Sequence, residues 1–521
     1  MLRTEPGPPR DPRPLDRFAN ACTHGADRHW RVLLLAFSVA FFTSAAVHAI
    51  AKPLWHDEIY TVIIAGLPSL ATIWNAQLAG IDSMPPLNAI LTHFVFQGVE
   101  PGAISARLPA MLGVWTCALA MFVLVRARAG TMAGLAAMLL VCVSRAWGAA
   151  YEARGYGVRL GLFALAILAW AEAARGQRRR LFLPLLAVAL AAGVWTHYYA
   201  AIGFIPIVAG ELVRSARTRK VDVGILASVI LAGLACLPLY PLAKVAQSQS
   251  STYFQKTTLL EIPGAFASIV LSLAGPWALL AGGLALISVL ASATTARQRT
   301  PIRLPAHEVI AGLAVLLTPV WAMLLGLLVA SGAFVPRYAI TAVVGYCLAV
   351  ALLTSWSRSR LTAVLVVGLL AAGVAYDARE ALQRGAAPNP LDYRPLLRKA
   401  LSAATPVPVV VTGTLYLQMW YYAPAEARPR LTYVADPSIA LRRLGTDSLD
   451  RDYLVLRKWS TVSVQDYEEF SRTHSRFYLY DVEALAWLLD HLRDQRAEIR
   501  ELGRESGATM YEVTYARRTP A

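Results

Sequence analysis

Long apolar runs recur along most of this chain, and they constrain its fold more than any other feature. They fall near residues 30–50, 103–125, 130–150, 156–174, 181–197, 199–213, 221–241, 264–293, 306–333, 338–355 and 360–376. Runs of about 20 apolar residues read as membrane-spanning helices, because lipid leaves each backbone polar group to be satisfied inside its own segment. Charged residues make up 16% of the chain, whereas a soluble domain carries about 25%. A shorter run, Leu87 to Val99, suits a re-entrant or interfacial helix better than a span.

Charge sets the orientation. A formal net charge of +16 would suit a nucleic-acid binder if the basic residues formed one patch. They sit instead in short clusters between apolar runs: Arg126 with Arg128, Arg175 to Arg180, Arg214 to Lys220, Arg297 to Arg303, and Arg358 with Arg360. That is the positive-inside pattern, and no nucleic-acid partner is expected. With every cluster and the basic N-terminus on the cytoplasmic side, the chain has about eleven spans. Residues 52–100 then form one external loop with short helices lying on the membrane, and Pro85-Pro86 opens one of them.

Three regions follow. Residues 1–29, rich in Pro and Arg, read as a disordered cytoplasmic segment. Residues 30–377 form the transmembrane domain, beginning with an uncleaved anchor helix. From 378 to 521 charge density rises and strand-like runs appear at Pro408 to Thr412, Tyr453 to Arg457, Phe477 to Tyr480 and Met510 to Tyr515. A helical pattern covers Val482 to Arg504, so this region reads as a small α/β domain outside the membrane. The five cysteines include no CxxC pair and suggest neither a disulfide framework nor a zinc site.

The chemistry-bearing residues gather at the external ends of the runs. Trp55-His56-Asp57-Glu58-Ile59-Tyr60 follows the first run. Carboxylates beside lipid are costly and call for a function, and a partly desolvated carboxylate can serve as a general base. Asp82-Ser83-Met84-Pro85-Pro86 reads as a turn into a helix, and His93 beyond it as a packing residue. Glu152-Ala153-Arg154-Gly155-Tyr156 offers Arg154 for a phosphate and Glu152 to assist the base or bind a metal. Thr196-His197-Tyr198-Tyr199 is either an aromatic belt or a substrate-contacting wall. Arg337-Tyr338 starts a span from outside, as a lipid-phosphate site or a snorkelling anchor; Lys244 and Lys256 add charge nearby.

The ordered set resembles the GT-C glycosyltransferases, in the bacterial branch of protein O-mannosyltransferases and lipid A aminoarabinose transferases (glycosyltransferase family 39-like). The matching segments are Asp57-Glu58, Pro85-Pro86-Leu87, Arg107-Leu108-Pro109, Glu152-Ala153-Arg154-Gly155-Tyr156, Thr196-His197-Tyr198 and Arg337-Tyr338. Met84 departs from the His or Lys frequent in relatives, and Asn88 from an aromatic. The resemblance implies a GT-C fold and an inverting transferase in a bacterial inner membrane, working on the periplasmic face. The donor would be a polyprenyl-phosphate-linked sugar, and the acceptor an envelope glycolipid such as lipid A or lipopolysaccharide, or a protein. Asp57 would be the catalytic base and Glu58 its support. Arg337 and Arg154 would hold the donor phosphate, with Glu152, Tyr156, His197, Tyr198, Tyr338, Lys244 and Lys256 around the substrates. No cofactor is implied with certainty, and a divalent metal stays open. The competing readings are a flippase of lipid-linked sugars and a non-catalytic scaffold.

Overall fold

The computed structural model describes residues 14–255, 258–269, 272–293, 304–357, 359–403, 407–482 and 485–515. Lys256 and the cluster Arg297 to Arg303 lie outside the described residues, as does Arg358. Among the described residues, eight helices are long and apolar enough to cross a membrane. The pair Ala306–Leu316 and Thr318–Val329, bent by 57°, makes a ninth span if counted as one. Two shorter apolar helices, Thr131–Val143 and Ala342–Trp356, lie where the remaining two runs were expected.

The first helix, Pro14–Ile50, begins earlier than expected. Residues 14–29, read from composition as disordered, are helical, with a break at His29. Packing explains the difference: Ala19 and Ala26 are buried, and Asn20 accepts a hydrogen bond from Arg360 Nη1 at 2.6 Å. The tightest crossing joins Ala103–Ala129 to Tyr156–Ala174. A Cβ on Gly113 would lie 2.2 Å from the Gly157 carbonyl, and one on Gly157 2.6 Å from that of Ala110. Gly157 and Gly161, four apart, form the small-residue seam that lets two helix backbones touch. Gly157→Ala is expected to cost about 1–3 kcal/mol through overpacking. A lowered unfolding midpoint of the detergent-purified protein would show it; an unchanged midpoint would mean that the helices separate freely.

Ion pairs tie several helix ends together at one end of the bundle. Arg128 donates to Glu308 at 2.9 Å and to Glu172 at 2.9 Å. Arg179 and Arg214 share Asp222 at 2.5 and 2.7 Å. The described members of three basic clusters therefore meet at the same end, as the positive-inside reading requires.

The other end carries residues 52–100 and the C-terminal region. Helices His56–Ala65, Leu70–Leu78 and Leu87–Gly98 have 10, 9 and 12 residues. At 1.5 Å per residue none approaches the roughly 30 Å of a bilayer core. They do more than lie on a surface. Ile59, Tyr60, Ile64 and Ile73 belong to one apolar core with Val409, Tyr416, Tyr433 and Tyr453 of the C-terminal domain.

That domain is built on a six-stranded sheet: β1 (Val409–Val411), β2 (Leu431–Ala435), β3 (Val464–Asp466), β4 (Arg476–Asp481), β5 (Glu498–Glu505) and β6 (Ala508–Thr514). The order is β3-β2-β1-β4-β6-β5, with β1 to β4 parallel and β6 antiparallel to both its neighbours, β4 and β5. Two expectations are corrected. Tyr453 to Arg457 is not a strand; it ends helix Ser448–Leu456, where Tyr453 and Leu456, three apart, are buried on one face. Val482 to Arg504 is not one helix: Leu488–Asp494 stops before Arg496, which takes φ 55°, and β5 follows. Ser506 and Gly507, both at positive φ, make the tight turn that pairs β5 with β6.

Candidate active site

The two neighbouring carboxylates of helix His56–Ala65 face different surroundings. Glu58 is fully buried and accepts from Arg107 at 2.7 and 2.8 Å, from the Ala153 N–H at 2.7 Å, and from the Trp55 N–H at 3.3 Å. Arg107, also fully buried, donates further to the carbonyls of Ala49, Lys52 and Pro53. This pair welds the end of the first span to the loop around Ala153. It leaves Glu58 no free oxygen for chemistry, and Glu58 does not line the cavity described next. A carboxylate with both oxygens engaged fixes structure, and the geometry sets Glu58 in the framework behind the cavity.

Asp57 points the other way, into a cavity of about 680 Å³ between the bundle and the C-terminal domain. Its side chain is 23% exposed, and its Oδ2 lies 3.3 Å from Arg337 Nη2. Arg337 sits over the rings of Trp55 and Tyr156, at 5.5 and 5.6 Å. Its Nε is buried without a hydrogen-bond partner, so a donor remains for a ligand.

Arg154 is already committed. It forms a forked pair with Asp82 at 2.6 and 3.2 Å and also reaches the Asp57 carbonyl at 3.3 Å. Asp82 lines the cavity too, although its sequence context shows only a turn before Pro85-Pro86. Glu152 and Tyr156 stand behind the cavity wall rather than in it. Burial raises the Glu152 carboxyl above its usual range, against the pull of Lys52 and Arg337. His197 and Tyr198 line the cavity, with His197 Nε2 buried and unpartnered. Tyr338 joins its hydroxyl to that of Tyr253 at 2.9 Å, and both line the wall. Lys244 reaches the cavity from helix Tyr240–Ser250, beside the Tyr240 ring. No group of three or more His, Cys, Asp or Glu among the described residues is arranged to hold a metal.

The opposite wall was not legible in the sequence. Thr414, Thr446, Ser448 and Asp450 to Asp452 line the cavity from the C-terminal domain, and Tyr60 joins them from helix His56–Ala65. Tyr60 lies one helical turn from Asp57, a spacing that could have flagged it; Asp452 carries no such signal.

Fold and cavity together define a polytopic membrane protein of GT-C fold, with an α/β domain closing the cavity. The chain is similar in fold to ArnT from Cupriavidus metallidurans. The undecaprenyl phosphate-bound crystal structure superposes with a TM-score of 0.57 at 13% identity, over 93% of this chain and 98% of that one. The apo structure gives 0.57 and 13%, over 94% and 98%. At such identity the likeness establishes the fold. No family model matches the chain, and neither does any curated protein.

Proposed function

We propose that the protein is an inverting glycosyltransferase that moves a sugar from a polyprenyl-phosphate donor to an envelope acceptor at the periplasmic face of a bacterial inner membrane. The acceptor would be a glycolipid or a protein. The observation that carries this reading is the meeting of Asp57 and Arg337 at 3.3 Å on the cavity wall. It places a carboxylate without a structural bond of its own beside a cation that has an unused donor. The similar ArnT binds undecaprenyl phosphate, which favours a donor of that chemistry here.

In the reaction an acceptor oxygen or nitrogen attacks the sugar C1. The bond from C1 to the phosphate oxygen breaks, and its electron pair stays on the departing polyprenyl phosphate. The acceptor proton passes to Asp57. One displacement inverts the anomeric centre. Arg337 meets the charge that develops on the phosphate, with Lys244 as a second cation in the same cavity. Arg154 acts indirectly, by holding Asp82 and the backbone at Asp57. Glu58 acts through Arg107, by fixing the turn that aims Asp57.

The test is a comparison of envelope glycolipids and glycoproteins by mass spectrometry. A strain lacking the native gene receives wild type or Asp57→Asn at equal membrane abundance. A sugar-sized mass present only with wild type identifies the transfer and its acceptor. Identical glycans in both strains would remove Asp57 as the base and bring the flippase and scaffold readings forward. Separately, Arg337→Ala is expected to weaken binding of a polyprenyl phosphate to the purified protein roughly 10- to 100-fold, the worth of a charged hydrogen bond. Unchanged binding would place the phosphate elsewhere.

A further inference from the structure

The C-terminal domain turns toward the cavity the part of its sheet where α/β folds commonly hold ligands. From β1 the chain crosses to β2 on one side, while β4 pairs with the other side of β1. Such a switch in strand order leaves a crevice past the carboxyl ends of the strands. Thr414, just after β1, and Leu485, just after β4, both line the cavity. Asp452 lines it as well, from helix Ser448–Leu456, which follows β2.

Two groups on this wall lack partners. Asp452 makes no hydrogen bond to a described residue; its one cationic neighbour, Arg451 Nε, is 3.9 Å away. Arg451 is itself engaged with Asp447 at 3.0 Å and the Thr252 hydroxyl at 3.2 Å. The Tyr60 residue is 5% exposed and lines the cavity, yet its buried hydroxyl has no hydrogen-bond partner. Both groups line the one cavity, and the Tyr60 ring stacks on that of Tyr453, the residue next to Asp452, with centroids 6.4 Å apart. The buried Tyr60 hydroxyl left unmet costs about 1–3 kcal/mol, and the Asp452 side chain, 38% exposed, is open to the cavity. A ligand that both donates and accepts would meet both.

Charge decides what kind of ligand. Asp57 is paired with Arg337, and Asp82 with Arg154, so the carboxylates do not add up to a trap for a cation. An anion beside Asp452 would meet that carboxylate with its nearest cation, Arg451, already engaged, while the unengaged donor of Arg337 and the Lys244 ammonium serve the donor side. Partial enclosure in the cavity, opposed by Arg451 and helped by Asp82, Asp447 and Asp57, raises the Asp452 carboxyl above its usual range, while the side chain stays 38% exposed.

We propose that Asp452 and Tyr60 form the acceptor subsite, and that the acceptor group they bind is an uncharged, hydroxyl-bearing sugar ring rather than a phosphorylated one. This inference rests on the transferase reading. The subsite would seat the ring so that one hydroxyl faces Asp57 while its neighbours bond to Asp452 and Tyr60.

The test uses the full-length protein with Asp452→Ala, Asp452→Glu and Tyr60→Phe, each at wild-type membrane abundance. The glycan product is measured by mass spectrometry in the complemented strain, and binding of a short-chain polyprenyl phosphate is measured on the purified protein. Asp452→Ala is expected to lower the product at least about tenfold, the loss of one good hydrogen bond. Tyr60→Phe should lower it severalfold, Asp452→Glu should recover part of it, and polyprenyl phosphate binding should match wild type. If alanine lowers abundance, Tyr60→Phe and Asp452→Glu carry the comparison. Wild-type product from both Asp452→Ala and Tyr60→Phe would overturn the subsite while leaving the transferase reading in place. So would loss of product together with loss of polyprenyl phosphate binding. A product carrying the new sugar on a phosphorylated ring would overturn the acceptor class. If wild type adds no sugar at all, the transferase reading fails and the subsite falls with it.

Discussion

Asp57→Asn is expected to fold, enter the membrane and bind polyprenyl phosphate, but to transfer sugar at least about 100-fold more slowly, the usual worth of a general base. The side chain is partly open to the cavity, and its one ion pair is the 3.3 Å contact with Arg337. Asparagine keeps the shape and an oxygen for that contact, so packing is preserved while basicity is lost. Initial rates beside unfolding midpoints would separate the two. A variant that turns over at the wild-type rate would end the assignment.

Glu58→Ala, one position along, is expected to fail in the opposite manner. It would strand the fully buried Arg107 guanidinium and leave the Ala153 N–H unmet. Removing one partner of a buried ion pair costs about 3–5 kcal/mol, a large share of the roughly 5–15 kcal/mol that holds a domain together. Low membrane abundance and a depressed unfolding midpoint are the expected readouts, and Arg107→Ala should behave alike. The double variant Glu58→Leu with Arg107→Met should regain much of the loss, because an apolar pair removes both stranded charges. If Glu58→Ala keeps the wild-type midpoint but loses transfer, Glu58 belongs to the chemistry after all.

The contrast between these neighbours shows where a sequence stops being informative. Asp57 and Glu58 look equivalent in a row of letters. A helix turns about 100° per residue, so adjacent side chains must face different surroundings. One meets the cavity and the other meets Arg107, some fifty positions away in the chain. Asp82 was hidden for a similar reason: it reads as a turn residue until Arg154 is seen locked onto it. The C-terminal strands were only half legible. β1, β4 and β6 are apolar enough to stand out, whereas the exposed, charged β5 resembles a helix until its turn at Ser506-Gly507 pairs it with β6.

What the sequence by itself determined was the membrane architecture and the face on which the candidate site residues gather. Apolar runs of spanning length and the placement of Arg and Lys between them are local properties, governed by the energy of transferring each segment into lipid. The tertiary structure alone decided which carboxylate opens to the cavity, which Arg is free and which is committed. It also revealed that the C-terminal domain supplies one wall of the site through Thr414, Asp450 and Asp452. Those outcomes depend on contacts between residues 49, 72 and 280 positions apart, and no periodicity or charge pattern along the chain encodes them.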